Sequence, residues 1–203
     1  MISVQREEPP RISGERQTLT GFLQLQRETL AWKCSELSAA QLRQQAVPTS
    51  KLSLLGLVRH MTDVERGWFA RTLGGVDAPA FYWRADRSAD VDFDVADADV
   101  DEAFRLWHEE CARSRALVAH CESLDTVGTH QPSGLDFSLR WILIHMIEEY
   151  ARHNGRPTEG TTRRSHGRIG PIAQVSGHAA TRALVGRPNQ LAASASQRTL
   201  LPN

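Results

Sequence analysis

The chain has 203 residues, which is enough for one domain with a sizeable core. Its hydrophobic fraction of 40% and charged fraction of 24% are ordinary for a soluble protein, and no apolar run approaches the ~18 residues that a membrane span needs. The formal net charge of +0 gives no sign of a nucleic-acid partner, and three cysteines without CxxC spacing argue against a disulfide framework and for a reducing cytoplasm.

Hydrophobic periodicity predicts an all-α chain with no convincing strand, and its four amphipathic helices cover about residues 15–37, 52–73, 99–121 and 138–154. The second helix can begin at Ser50 or Ser53, both of which are N-capping residues, and it stops at a pair of glycines. Asp99 and Ser138 occupy the equivalent capping positions before the third and fourth helices. Four helices of this kind predict a four-helix bundle.

The two ends of the chain differ from its middle in composition. Residues 1–14 are polar, and residues 156–203 contain seven Arg and one Glu but no Phe, Trp or Tyr. A segment with so little to bury cannot offset the entropy of ordering its backbone. We therefore expect a polar N-terminal segment over 1–14, a helical domain over 15–155 and a weakly ordered tail over 156–203.

The fourth helix carries His145, Glu149 and His153 at steps of four residues. At 100° per residue, His153 lies within the apolar arc of this helix, Glu149 lies at its border, and His145 is one step further out. Residues four apart are neighbours on a helix surface, so Glu149 and His153 can bind one ion, with His60 from the second helix as a third ligand. Two imidazoles and one carboxylate leave a coordination position open, as catalytic zinc sites do. The same spacing also fits a simple charge-assisted pair, and His145 is interpreted as a supporting or substrate-facing residue.

Two acidic residues of the second helix require a separate interpretation. Glu65 falls inside the apolar arc, and a buried carboxylate needs a partner. The favoured partner is Arg27 of the first helix, and the alternative is a ligating imidazole that Glu65 would orient. Asp63 is expected to point outward into solvent.

The stretch DVDFDVADADVDE could be mistaken for a calcium loop, because Asp90, Asp92 and Asp94 match the first three ligand positions. The required glycine and final glutamate are replaced by Val95 and Asp101. We therefore interpret the stretch as a solvated acidic loop. Four tryptophans and the three cysteines are expected to pack the core: Trp32, Trp68, Trp107, Trp141, Cys34, Cys111 and Cys121.

Two segments resemble the DinB-like superfamily in order and spacing: LQRETLAWKCSELSAAQLRQQAVPTSKLSLLGLVRHMTDVERGWF and SLRWILIHMIEEYARHNG. The superfamily includes the metal-binding domain of mycothiol-dependent maleylpyruvate isomerase. The resemblance implies an up-down-down-up four-helix bundle with one divalent metal, zinc by preference. The ligand pattern of the isomerase branch maps onto His60, Glu149 and His153.

The resemblance also implies a reaction class. Enzymes of the superfamily use a low-molecular-weight thiol, which points to a thiol-dependent S-transferase or an isomerase-like enzyme acting on a small-molecule electrophile. No catalytic residue beyond the metal ligands is identified. The alternatives are a metal-binding bundle without catalysis and a metal-free structural bundle, which could form a homodimer.

Overall fold

The computed structural model describes residues 6–45, 51–83 and 91–155. The predicted tail, 156–203, lies outside these residues, as do residues 1–5. The described chain is mostly helical, and a single two-stranded antiparallel sheet accompanies the helices. None of the described helices is both long and apolar enough to cross a membrane.

Four long helical segments account for most of the described chain, and their bounds lie close to those predicted. Helix α1 is Glu15–Cys34, and α3 is Leu54–Glu65, which continues as a π-helix over Arg66–Leu73. Helix α4 is Val100–His120 and α5 is Leu139–Asn154.

The predicted capping residues begin their helices. The side chains of Ser53, Asp99 and Ser138 each accept a hydrogen bond from the backbone N–H three residues on. These contacts are local in sequence, which is why the helix starts could be predicted.

The first predicted helix is shorter than expected. It ends at Cys34, and a five-residue helix α2, Ala39–Arg43, follows it. Ser38 and Gln41 form a reciprocal capping box that starts α2, while Glu36 adopts a positive φ of 62° between the two helices. The chain therefore turns where a single helix to residue 37 was predicted.

A β-hairpin that the sequence analysis did not predict precedes α5. Strand β1 is Val127–His130 and β2 is Leu135–Ser138. Four-residue strands are too short to show a clear alternation in sequence. A Cβ on Gly128 would lie 2.2 Å from the carbonyl oxygen of Thr72, so the glycine allows the hairpin to pack directly against the end of the π-helix.

The core lies between two helix pairs, because α1 packs against α5 and α3 packs against α4. The largest fully buried side chains are Trp107, Tyr150, Phe69, Leu23, Leu30, Leu55, Met61, Leu139, Ile142, Leu143 and Met146. All of them except Leu55 and Phe69 belong to the apolar faces that the periodicity identified.

The predicted ion pair between Arg27 and Glu65 crosses this core. Two guanidinium nitrogens of Arg27 each lie 2.7 Å from a different carboxylate oxygen of Glu65, and Tyr150 donates a further hydrogen bond of 2.8 Å. Burial alone would raise the pKa of Glu65, but the charge and hydrogen bonds of Arg27 outweigh it and hold the pKa below its usual range. The alternative role for Glu65, orienting a metal ligand, is not supported by these contacts.

Candidate metal centre

The structure brings together the three residues that the sequence singled out as metal ligands. His60 projects from α3, and Glu149 and His153 project from α5. One ligand atom from each residue lies within 4.8 Å of the others, and all three side chains are partly buried. The ring centroids of His60 and His153 are 4.8 Å apart. The helices thus supply two imidazoles and one carboxylate to a common point.

His60 is held by a carboxylate that the sequence analysis assigned to solvent. Its Nδ1 lies 2.8 Å from Oδ2 of Asp92, in the 3₁₀ turn Val91–Phe93, and Asp92 is only 4% exposed. Because an ionised carboxylate can only accept, Nδ1 is the donor in this contact, and in the neutral ring Nε2 keeps its lone pair. A carboxylate behind a ligating histidine is the usual support of such a ligand in metal sites. The interpretation of this stretch as a fully solvated loop is therefore wrong at Asp92.

The position of Asp92 depends on its neighbours. Trp83 Nε1 donates to the same Oδ2 at 3.0 Å. Burial would raise the pKa of Asp92, yet the hydrogen bonds from His60 and Trp83 hold it below its usual range, so the group is ionised at neutral pH. A Cβ on Gly56 would lie 2.6 Å from the ring of Phe93, so this glycine admits the turn against α3, one helical turn before His60.

Asp63 supports the same arrangement from further away, although we expected it to face solvent. It is 2% exposed, and its carboxylate accepts hydrogen bonds of 2.7, 2.8 and 2.9 Å from the backbone N–H groups of Phe81, Tyr82 and Trp83. These bonds fix the segment that delivers the Trp83 indole to Asp92. The prediction failed because the partners lie 18 to 20 residues away, where helical periodicity carries no information.

Glu149 lies between two histidines. Its Oε2 is 3.5 Å from Nε2 of His153, and its Oε1 is 3.7 Å from Nε2 of His145. Its interaction with His153 lowers the pKa of Glu149, while burial lowers the pKa of His145, so at neutral pH the carboxylate is ionised and His145 is neutral. A separation of 3.5 Å is within ion-pair distance, so the contact also fits the charge-assisted pair that the spacing of Glu149 and His153 allows.

The donor set fits a divalent cation. Two imidazoles and one carboxylate are ligands that zinc and neighbouring metals prefer. Nδ1 of His153 is buried and has no hydrogen-bond partner among the described residues, whereas buried polar atoms in proteins are normally paired. Both observations are those expected of a site that binds a metal.

Aromatic rings continue the line of the candidate ligands along α5. Trp141 stacks on His145 with ring centroids 4.8 Å apart, and Phe137 lies 4.5 Å from Trp141. Trp68, from the π-helix, contacts both His145 and Trp141, at 4.6 and 5.2 Å. Trp141 is 43% exposed, so the prediction that it packs the core is wrong.

The buried cysteines are poor nucleophiles. Burial raises the pKa of Cys34 to about 12 and raises that of Cys111 even further. Reactive cysteines need a lowered pKa and access to solvent. Neither side chain can therefore supply a thiolate to the candidate centre.

A comparison with protein-family models found a match over most of the chain. A family model described as MST, mycothiol-S-transferase, matches residues 18–157. That range contains every residue of the candidate centre and of the aromatic line. No curated protein and no solved structure matches the chain significantly.

Proposed function

The chain belongs to the mycothiol-S-transferase family, a DinB-like family related to mycothiol-dependent enzymes, and on that premise we propose that it is a divalent-metal-dependent transferase using a low-molecular-weight thiol. The thiol is the cosubstrate and a small-molecule electrophile is the acceptor. We further propose that the four long helical segments form the up-down-down-up bundle of DinB-like proteins, that the metal is zinc, and that the enzyme acts in the cytoplasm.

The observation that carries this proposal is the convergence of His60, Glu149 and His153 within 4.8 Å, with Asp92 behind His60. Catalytic zinc sites typically have three protein ligands, and their fourth position takes water or substrate. A carboxylate held behind one histidine is the second feature of such sites.

Each residue has a defined task in the proposed reaction. Asp92 keeps the proton on Nδ1 of His60, so that Nε2 is available as a donor, and Glu149 adds one negative charge to the donor set. A bound divalent ion would favour the thiolate form of a coordinated thiol at neutral pH. His145 is neutral and lies beside Glu149 on the side of the exposed rings, where an incoming electrophile would meet it.

The requirement for an external thiol follows from the chain's own cysteines. Cys34 and Cys111 are buried with raised pKa values, Cys121 is partly buried at the end of α4, and none of the three belongs to the candidate centre. A transferase built on this centre therefore needs a small thiol from solution, which is consistent with the family.

The proposal is tested with the full-length protein reconstituted with zinc. We expect about one zinc per chain, and consumption of mycothiol in the presence of an electrophile only in the zinc-loaded protein. Glu149→Gln should lose both zinc and turnover. Glu109→Gln is the control, since its side chain is 50% exposed on α4, pairs with Arg105 and is not part of the candidate centre.

Two results would overturn the proposal in different ways. Zinc binding without thiol consumption, for any electrophile tried, would favour the alternative of a non-catalytic metal-binding bundle. Failure of the wild-type chain to bind any divalent metal would favour a structural bundle, for which the measurement is the oligomeric state.

A further inference from the structure

The line of side chains at four-residue steps does not stop at the candidate ligands. It runs from His153 and Glu149 through His145 to Trp141 and Phe137, of which Trp141 is exposed and Phe137 is partly buried against the core. At ~1.5 Å of rise per residue, His145 lies about 6 Å and Trp141 about 12 Å along the helix axis from Glu149. The exposed indole is therefore within the length of one small molecule from the candidate metal centre.

A second indole, that of Trp68, packs beside this line of side chains. The ring of Trp68 is at 65° to His145, and its centroid is 5.2 Å from that of Trp141. Trp68 also contacts Phe137 at 5.3 Å and His130 at 5.5 Å, so the hairpin forms the outer end of the corner. We name these five rings, Trp68, His130, Phe137, Trp141 and His145, the aromatic corner.

The backbone that supplies Trp68 is unusual. Residues Arg66–Leu73 form a π-helix, a conformation that is rare and often found at functional sites. Trp68 and Phe137 are partly buried against the core, whereas Trp141 is 43% exposed. The corner therefore combines partial core packing with an exposed indole that a ligand can reach.

The chemistry of the corner indicates what it recognises. Indole faces are electron-rich, and they pair with planar rings in offset-stacked or edge-to-face geometry. Ligand sites are mostly apolar and aromatic, with few polar groups that fix orientation. Here Glu149 and His145 supply the polar groups at the inner end, with His145 Nε2 3.7 Å from Oε1 of Glu149.

Resting on the proposed transferase function, we infer that the aromatic corner binds the electrophile, and that the electrophile is a planar, electron-poor aromatic compound. In the transfer step the thiolate sulfur forms a bond to the ring carbon or to a carbon attached to the ring. The bond from that carbon to the leaving group breaks, the leaving group departs with the electron pair, and the thiol proton is released to solvent.

The test compares two electrophiles with the same thiol and the zinc-loaded full-length protein: 1-chloro-2,4-dinitrobenzene, which is planar and aromatic, and iodoacetamide, which is not. Trp141→Ala should lower kcat/KM roughly 2- to 10-fold for the aromatic compound, mostly through KM, which is the size expected for loss of one ring contact. The same variant should lower the rate with iodoacetamide less than the rate with the aromatic compound, and Trp141→Phe should restore part of the loss. Ile144→Ala is the matched control, because Ile144 is 52% exposed on the same helix and outside the corner.

A binding measurement distinguishes this inference from the proposed function. The unreactive 1,3-dinitrobenzene should bind the wild type and Ile144→Ala, even without thiol or zinc, and bind Trp141→Ala more weakly. If no electrophile is turned over but this pattern holds, the transferase proposal falls and the aromatic site stands. If 1,3-dinitrobenzene binds Trp141→Ala as tightly as the wild type, or if both electrophiles lose rate equally in that variant, the inference is overturned.

Discussion

Asp92 offers the sharpest test of how the candidate centre is built. Its Oδ2 accepts from both His60 Nδ1 and Trp83 Nε1, at 2.8 and 3.0 Å. In Asp92→Asn the amide oxygen can still accept both bonds, so the substitution removes the charge and largely keeps the geometry. Asp92→Ala removes the acceptor as well, and His60 is then free to rotate or change tautomer. Losing such a support typically weakens metal affinity about 10- to 100-fold, which is ~1.4–2.7 kcal/mol.

We therefore expect zinc affinity to fall about tenfold in Asp92→Asn and closer to 100-fold in Asp92→Ala. The measurement is a competition titration against a chromophoric zinc chelator at neutral pH. Asp94→Asn is the control, since this residue is two positions away, carries the same charge and is exposed. Wild-type affinity in both Asp92 variants would refute the supporting role. An equal loss in Asp94→Asn would show that the charge acts through long-range attraction and not through the hydrogen bond.

Three further predictions concern ligand assignment, the core and the tail. His153→Ala should abolish zinc binding, whereas His145→Ala should retain it. The zinc content of the purified variants checks both expectations. Loss of zinc in His145→Ala would contradict our assignment of His145 to the substrate side. Arg27→Met leaves the fully buried Glu65 without its counter-charge, so urea unfolding should show a loss of about 3–5 kcal/mol, most of which Arg27→Met combined with Glu65→Leu should recover. A small loss in the single variant would mean that Glu65 is already satisfied by other groups. Removing 156–203 should leave Tm nearly unchanged, whereas a fall of many degrees would show that the tail belongs to the folded domain.

The parts of this protein that were predictable from sequence are those with local or periodic causes. The caps at Asp99 and Ser138 act over three residues, and the spacing of Glu149 and His153 follows from the helical repeat. The pairing of Glu65 with Arg27 could be predicted because Glu65 lies within the apolar face of its helix and needs an opposite charge, which Arg27 offers at the flank of the first helix's face.

The parts that were not predictable depend on contacts between distant segments. Asp92 lies 32 residues from His60, in a stretch whose alternating aspartates are also typical of an exposed loop. Asp63 occupies the polar side of its helix, and only the return of residues 81–83 buries it. The exposure of Trp141 was missed for the opposite reason, since the size and apolar character of an indole favour the core, whereas this one lies at the surface.

The π-helix has a consequence for how this protein can change over evolutionary time. A π-helical turn holds about one residue more than an α-helical turn, so Arg66–Leu73 can lose a residue and relax into the α-helix that precedes it. Deleting Gly67 would place Trp68 one position earlier on the helix and so change its direction relative to His145, while His60, earlier on the same helix, would keep its direction. A single-codon deletion can thus alter the aromatic corner and leave the candidate metal centre intact, so the two can diverge separately.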